Sequence, residues 1–343
     1  MIKLSFLSSS DGIRLTKTVQ MVNGELKINP YPNVYGVTSH TVEVADIDQF
    51  HQAVLEHAAK GHCLLKGTLN RELVNESRGG TTNTMQETQW ICLDIDGLPG
   101  INSAEKFIAL LPEYFHDVNY VSQASCSMGI NPEKGYSAHI FMLLNKPVSA
   151  PLLKEWLIHL NLTIPTLRQN IRANKNYTAP RWPLDASTCQ NDKLIFITPP
   201  VLKDGVVDQF QGDRIQLVEK ERGALPLNLD PIDADYNDRE GRQVLNKKRK
   251  AAGKPEHKFK TKTVDDVQVL IDAGKITISE IKEERDFVYM NLNGGDSWGY
   301  WHSVTNPKIL YNFKGEPNLL LEDVAPGYYY SALKKLYFPV FEA

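Results

Sequence analysis

The sequence predicts an α+β protein: an antiparallel sheet packed with an N-terminal α/β layer and followed by a small C-terminal accessory module. Three observations predict it. Residues 88–200 carry strand and helix patterns in the order β-α-β-β-α-β. Residues 1–87 hold a strand–helix–strand run. A charged stretch at 230–262 separates both from a tail of short aromatic strands. The 343 residues, 42% of them hydrophobic, suffice for two domains with a sizeable core.

In the N-terminal layer, Thr41-Val42-Glu43-Val44 alternates as a half-buried strand does. Asp46 is placed to cap a helix whose apolar residues Ile47, Phe50 and Val54 recur at helical spacing, and Gly61 stops it. Cys63-Leu64-Leu65 reads as a short strand. The polar residues 71–84, with Arg78-Gly79-Gly80-Thr81-Thr82, read as a loop.

Residues 89–93 form the first strand of the main sheet, ending in Asp94-Ile95-Asp96-Gly97. Ser103 caps a helix with Ala104, Phe107, Ile108 and Leu111 on one face, and Pro112 closes it. Residues 118–122 are the second strand, 128–135 a turn and 136–144 the third strand. Pro151 opens a helix with Leu152, Leu153, Trp156, Leu157 and Leu160 facing inward. Leu194-Ile195-Phe196-Ile197 is the fourth strand, stopped by Pro199-Pro200. This order is that of a split βαβ, or RNA-recognition-motif-like, sheet. There the first and third strands lie side by side in the middle, and the fourth flanks the first.

Residues 1–229 are thus expected as the main domain. Residues 230–262 read as a linker, with acidic residues up to Asp238 and the charge run Lys247-Lys248-Arg249-Lys250. Residues 263–343 read as a small accessory module. In it Thr263 and Asp266 open a helix through Ile271 that Gly274 stops. Phe287-Val288-Tyr289 and Ile309-Leu310-Tyr311 are strands, and Trp298, Tyr300 and Trp301 share a turn.

A formal net charge of −3 excludes a chain coated in positive potential, so any nucleic-acid contact has to come from a local basic patch. The four cysteines, Cys63, Cys92, Cys126 and Cys189, lack metal-ligand spacing. Buried reduced thiols suit a reducing cytosol. No signal-peptide pattern and no apolar run near the ~20 residues that span a bilayer is legible, so no membrane partner and a cytoplasmic location are expected.

The chemistry centres on a few polar residues. Asp94 and Asp96 are two apart on a strand, so they share a face. Two carboxylates side by side repel, and a divalent cation such as Mg²⁺ relieves that repulsion. The plainer reading is a solvated Asp-x-Asp-Gly turn. Ser137 and His139 share a face of the third strand, where hydroxyl and imidazole can reach a phosphate oxygen. Asp185 stands before the fourth strand and would bring a third carboxylate to the same edge. Two metals on three carboxylates suit in-line phosphoryl transfer. Arg168, Arg172, Lys175 and Arg181, interleaved with Asn170, Tyr177 and Trp182, suit a phosphate track with stacking platforms, or a solvated basic face.

Leu93-Asp94-Ile95-Asp96, then Ser137-Ala138-His139, then Leu184-Asp185 resemble the three motifs of the archaeo-eukaryotic primase superfamily, closest to its phage and plasmid primase-polymerase branch. The resemblance implies a catalytic core over roughly residues 35–215. It implies a nucleotidyltransferase that makes, and in some members extends, primers on single-stranded DNA in replication. Asp94, Asp96 and Asp185 would bind Mg²⁺ or Mn²⁺, and His139 with Ser137 would hold the nucleoside triphosphate. Lys193 stands where this branch often has an arginine, and Arg78 and Ser125 to Ser127 are further substrate-binding candidates. The location implied is the host-cell cytoplasm for a phage-encoded chain, with a replicative helicase, on the same polyprotein or separate, as a partner. No Gly-x-x-x-x-Gly-Lys-Ser/Thr loop occurs in the sequence, so the expectation is either a piece of a longer chain or a motor encoded separately.

Two rival readings use the same residues. Asp94-Ile95-Asp96-Gly97 also resembles the nucleophile loop of haloacid-dehalogenase-like phosphatases. That family expects Thr or Val where Leu98 stands, and a parallel doubly wound sheet. A non-catalytic replication-initiation module that binds DNA would use the recognition-motif-like sheet alone.

Overall fold

The computed structural model describes residues 1–130, 135–227, 229 and 232–255 and, beyond these, the strands of the tail named below. The chain divides into two compact units, Met1–His257 and Lys258–Ala343. It is a mixed α+β protein with antiparallel sheets.

In chain order the first unit runs β1 (Ile2–Ser9), β2 (Thr18–Val22), β3 (Glu25–Asn29), β4 (Val37–Val44), α1 (Ile47–Lys60), β5 (Cys63–Leu65), β6 (Thr88–Leu98), α2 (Ala104–Ile108), β7 (Tyr120–Ala124), β8 (Tyr136–Val148), α3 (Ala150–Thr163), α4 (Pro165–Asn170), β9 (Arg172–Ala173), β10 (Pro180–Arg181), β11 (Leu194–Ile195), β12 (Val201–Leu202), β13 (Ile215–Val218) and α5 (Ala234–Ala251). The N-terminal layer is a sheet of order β11-β5-β1-β4 with α1 packed beside it. Asp46 caps α1 by accepting the Gln49 N–H at 2.8 Å. Gly61 ends it at φ +87°, where an added Cβ would also meet Arg14 at 2.9 Å.

The main sheet has the order β13-β7-β8-β6, and each neighbouring pair is antiparallel. Period-two alternation gives it two apolar faces. Ile91, Leu93 and Ile95 of β6, with Ala138, Ile140 and Met142 of β8, pack on Phe107, Phe115, Trp156 and Leu160 below. Trp90, Cys92, Phe141 and Leu143 point the other way, onto Leu4, Phe6, Phe50 and Val54 of the N-terminal layer. The sheet is therefore sandwiched between these two apolar layers.

Four features differ from the sequence expectation. First, β6 continues through the acidic residues to Leu98, because β8 keeps pairing with it: Asp94 faces His139 and Ile95 faces Ala138 before the register shifts ahead of Leu98. Second, the expected fourth strand leaves this sheet. Leu194 and Ile195 pair with Leu65 and Leu64 of the N-terminal layer, while β13 joins β7 on the far side. The cause is local: the chain touches β6 at the single bridge Ile95–Leu184, then Asp185 caps a 3₁₀ turn over Ala186–Cys189 that carries it away. Third, the loop over 71–84 and the short α2 hold, but the described part of the expected linker over 230–262 is largely helical. Its residues 234–251 are the helix α5, packed within the first unit through Val244 against Leu162 and Ile171, with Arg168 bonded to Glu240 at 2.6 Å. Fourth, Tyr300 and Trp301 lie in a strand rather than a turn.

The second unit contains an antiparallel meander: β14 (Ile278–Glu284), β15 (Phe287–Leu292), β16 (Tyr300–Ser303), β17 (Asn306–Asn312) and β18 (Leu319–Leu320). Val288, His302, Leu310 and Leu319 are buried in it, and Trp301 stacks on Tyr311 with centroids 4.7 Å apart. A hairpin of β19 (Tyr328–Ser331) and β20 (Leu336–Pro339) follows. The expected helix from Thr263, and Trp298, lie outside the described residues.

Candidate active site

Alternation along β6 places Asp94 on the same face as Trp90 and Cys92, the face toward the N-terminal layer. Along β8 the same rule groups Ser137, His139 and Phe141. Register then sets Asp94 opposite His139, with Nε2 and Oδ1 3.6 Å apart. Both side chains are mostly buried, at 11% and 25% exposure for His139 and Asp94.

Asp185 arrives from outside the sheet. Its N–H donates to the Asp94 carbonyl at 2.9 Å, Asp96 donates its own N–H to Pro183 O at 3.4 Å, and the Thr188 hydroxyl donates to Cys92 O at 2.9 Å. These bonds satisfy the outer edge of β6, which would otherwise present unpaired backbone groups. Asn161, fully buried on α3, fixes the segment from beneath: it accepts the Leu184 N–H at 3.0 Å and donates to the Leu184 carbonyl at 2.8 Å.

The carboxylates have internal partners. The Asp185 carboxylate accepts the Ser187 N–H at 2.8 Å, the Ser187 hydroxyl at 2.9 Å and Lys193 Nζ at 3.2 Å. Burial pushes its pKa up, but these bonds and the Lys193 charge outweigh burial and hold it below the usual value. Asp96 Oδ2 accepts Arg181 Nη2 at 2.6 Å across an exposed edge. Among the described residues, no three His, Cys, Asp or Glu side chains form a ready-made metal cage. The donor chemistry still fits a hard cation, because Mg²⁺ commonly takes one or two carboxylates and completes its shell with water and phosphate. Such an ion would have to draw Asp96 from Arg181 or Asp185 from Lys193.

Ser137 is buried, and its Oγ accepts the Gly97 N–H at 2.9 Å, so it shapes the bend that carries Asp96. Gly97 itself sits at φ +70°. Lys193 also donates to Ser187 Oγ at 2.7 Å, which joins it to the Asp185 turn. Arg78 donates to Thr82 Oγ1 at 3.1 Å, a contact within its own loop. Ser125 and Ser127 bond to each other at 3.1 Å, and Ser125 N–H reaches Ser137 O at 3.0 Å. The basic stretch reaches the site in part: Asn170, Arg172, Arg181 and Trp182 line one small pocket with Asp96 and Gly97. Arg168 instead turns to α5.

Two site residues escaped the sequence reading. Gln123 of β7, buried, meets His139 Nδ1 at 2.7 Å. Tyr31 comes from the loop after β3, stacks on Phe196 at 3.5 Å between centroids and has Lys17 Nζ 4.9 Å from its ring. Burial, then Cys126 and the charges of Asp94 and Asp96, push its phenol well above the usual range. A Tyr between two prolines in an irregular loop carries no sequence signal of that placement.

No protein-family model, curated protein or solved structure matches this chain. Among the described residues, no helix is long and apolar enough to cross a membrane.

Proposed function

We propose that this chain is a metal-dependent nucleotidyltransferase of the primase-polymerase kind, making and extending primers on single-stranded DNA from nucleoside triphosphates. The observation that carries the reading is the register of β6 on β8, which sets Asp94 opposite His139, together with the Asp185 N–H bonded to the Asp94 carbonyl. Three stretches far apart in sequence, each resembling one motif of the primase superfamily, thus meet at one edge.

In this reading Asp94, Asp96 and Asp185 hold Mg²⁺ or Mn²⁺. The ion, when bound, supplies Lewis-acid stabilisation of the triphosphate and of the attacking 3′-oxygen. His139 would meet the triphosphate from β8, and Ser137 keeps the Asp96 bend in place through its bond to the Gly97 N–H. Arg172 and Arg181 offer guanidinium donors to phosphate from the pocket beside Asp96.

One observation favours a second reading, a DNA-binding replication-initiation module without catalysis: Arg181 and Lys193 already neutralise Asp96 and Asp185. The phosphatase reading requires a parallel doubly wound sheet, whereas β6 pairs antiparallel with β8.

The deciding experiment incubates the chain with labelled nucleotides, Mg²⁺ or Mn²⁺ and unprimed single-stranded DNA. Products are expected with the native chain. Asp94→Ala with Asp96→Ala should lower incorporation on the order of 10³-fold or more while DNA affinity persists. Absence of products from the native chain, with DNA binding intact, selects the second reading.

A further inference from the structure

The orientation of the Gln123 amide is fixed by its surroundings. Its Nε2 lies 3.2 Å from the Phe196 carbonyl oxygen and 3.0 Å from that of Ile197. Both neighbours are acceptors, so only the NH₂ end satisfies them. The flipped amide would set three oxygens together and leave buried acceptors unpaired. The Oε1 end therefore faces His139 Nδ1 at 2.7 Å, and that nitrogen has to carry a hydrogen. In a neutral imidazole the other nitrogen is then a bare lone pair.

Nε2, which carries that lone pair, lies 3.6 Å from Asp94 Oδ1. The distance is too long for a hydrogen bond. It matches two ligands of one ion: donors each ~2.1 Å from a cation, at angles between a right angle and a trigonal opening, stand roughly 3–3.6 Å apart. We propose that Gln123 is a positioning residue that fixes the Nδ1–H tautomer of His139, so that Nε2 and the Asp94 carboxylate ligate one divalent cation together. His139 then acts on the triphosphate through that ion rather than as a hydrogen-bond donor to phosphate. The catalytic consequence rests on the nucleotidyl-transfer reading; the tautomer and the shared ion do not.

The test uses the full chain labelled with ¹⁵N-histidine, with His139 assigned by its loss in His139→Gln. Long-range proton–nitrogen correlation of the neutral ring is expected to show protonated Nδ1 and unprotonated Nε2; protonated Nε2 in the native chain overturns the proposal. Titrated Mn²⁺ is then expected to broaden the His139 ring signals first, and not to do so in Asp94→Asn. Unbroadened His139 signals at Mn²⁺ saturation overturn the shared site. Gln123→Met, checked for folding by its melting curve, should release the tautomer and weaken Mn²⁺ binding roughly 10–100-fold. A folded variant that keeps both the native tautomer and the native Mn²⁺ affinity also overturns the proposal. A native Nδ1–H tautomer with Mn²⁺ broadening but no nucleotide incorporation would uphold this inference and sink the transferase reading.

Discussion

Asp185 donates its backbone N–H to the carbonyl of Asp94 at 2.9 Å, which registers an irregular segment directly on strand β6. The bond uses only backbone, so the side chain of Asp185 is left to Ser187 and Lys193. Asp185→Asn should therefore keep the register while losing the charge. The carboxyl is held low in the folded state, so it adds stability above the ordinary Asp value of about 3.9 and loses it as pH falls through the lowered one. The melting temperature of the variant should lie below that of the native chain at pH 7, and the gap should close in acid. Nucleotide incorporation should fall at every pH. An equal gap at pH 7 and in acid would contradict the assignment.

Arg181 pairs with Asp96 across an exposed edge, where ion pairs contribute about 0–1 kcal/mol. Arg181→Ala should leave the melting temperature almost unchanged. Because it removes a competing cation, Mn²⁺ should half-saturate the variant at lower concentration, while the salt dependence of DNA binding loses about one unit of slope. A weaker Mn²⁺ affinity in the variant would remove Arg181 as a competitor for Asp96.

Lys66 is 1% exposed, with its ammonium over the Trp90 ring at 4.4 Å and bonded to the Thr88 hydroxyl. Burial pushes its pKa down to about 7, against weaker opposing influences of Cys189 and Cys92. Unfolded chains bind this proton up to about pH 10.4, so the penalty is full below about pH 7, shrinks as pH rises and vanishes above about 10.4. Lys66→Met should stabilise the chain on the order of 1–4 kcal/mol at neutral pH, less the lost ring and hydroxyl contacts. Denaturant melts at pH 7 and pH 10 check this: the gain has to be larger at pH 7.

His57 and His62 face each other through Nδ1 atoms 2.8 Å apart, with His40 stacked on His62 and Phe6 on His57. Burial first, then neighbouring histidines and Lys60, lower both to about 4, and Arg14 adds to this at His62; at His57 the Glu56 charge opposes it. Unfolded histidines titrate near 6.5, so the unfolded chain binds more protons between about pH 6.5 and 4, and stability falls as pH drops through that window. His57→Phe should flatten this acid loss, read as melting temperature against pH. A native chain equally stable at pH 7 and pH 5 would refute it.

The site was legible where periodicity governs it. Spacing of two pairs Asp94 with Asp96 and Ser137 with His139 along their strands, and the β-α-β-β order lays those strands side by side, where Asp94 and His139 share one face of the sheet. It was illegible where irregular chain meets the sheet. Gln123 falls just past the expected strand over 118–122, and its partners are backbone carbonyls after β11, a strand that joins the N-terminal layer rather than the main sheet. Arg181 sits on a two-residue strand whose register only the fold supplies. Helix α5 was hidden because its buried contacts, Val244 and Leu245, are set among charges that read as solvated chain.

Helix α5 also bears on where the molecule can be cut. Its Glu240 holds Arg168, Gly241 lies 3.4 Å, measured from an added Cβ, from the Trp182 ring, and Arg249 bonds to the Tyr177 carbonyl in the β9–β10 connection. The hairpin that delivers a guanidinium to Asp96 therefore leans on residues beyond 229. A fragment trimmed at that point would lose the buttress behind the β9–β10 hairpin, so a self-sufficient first unit has to run at least through Arg249.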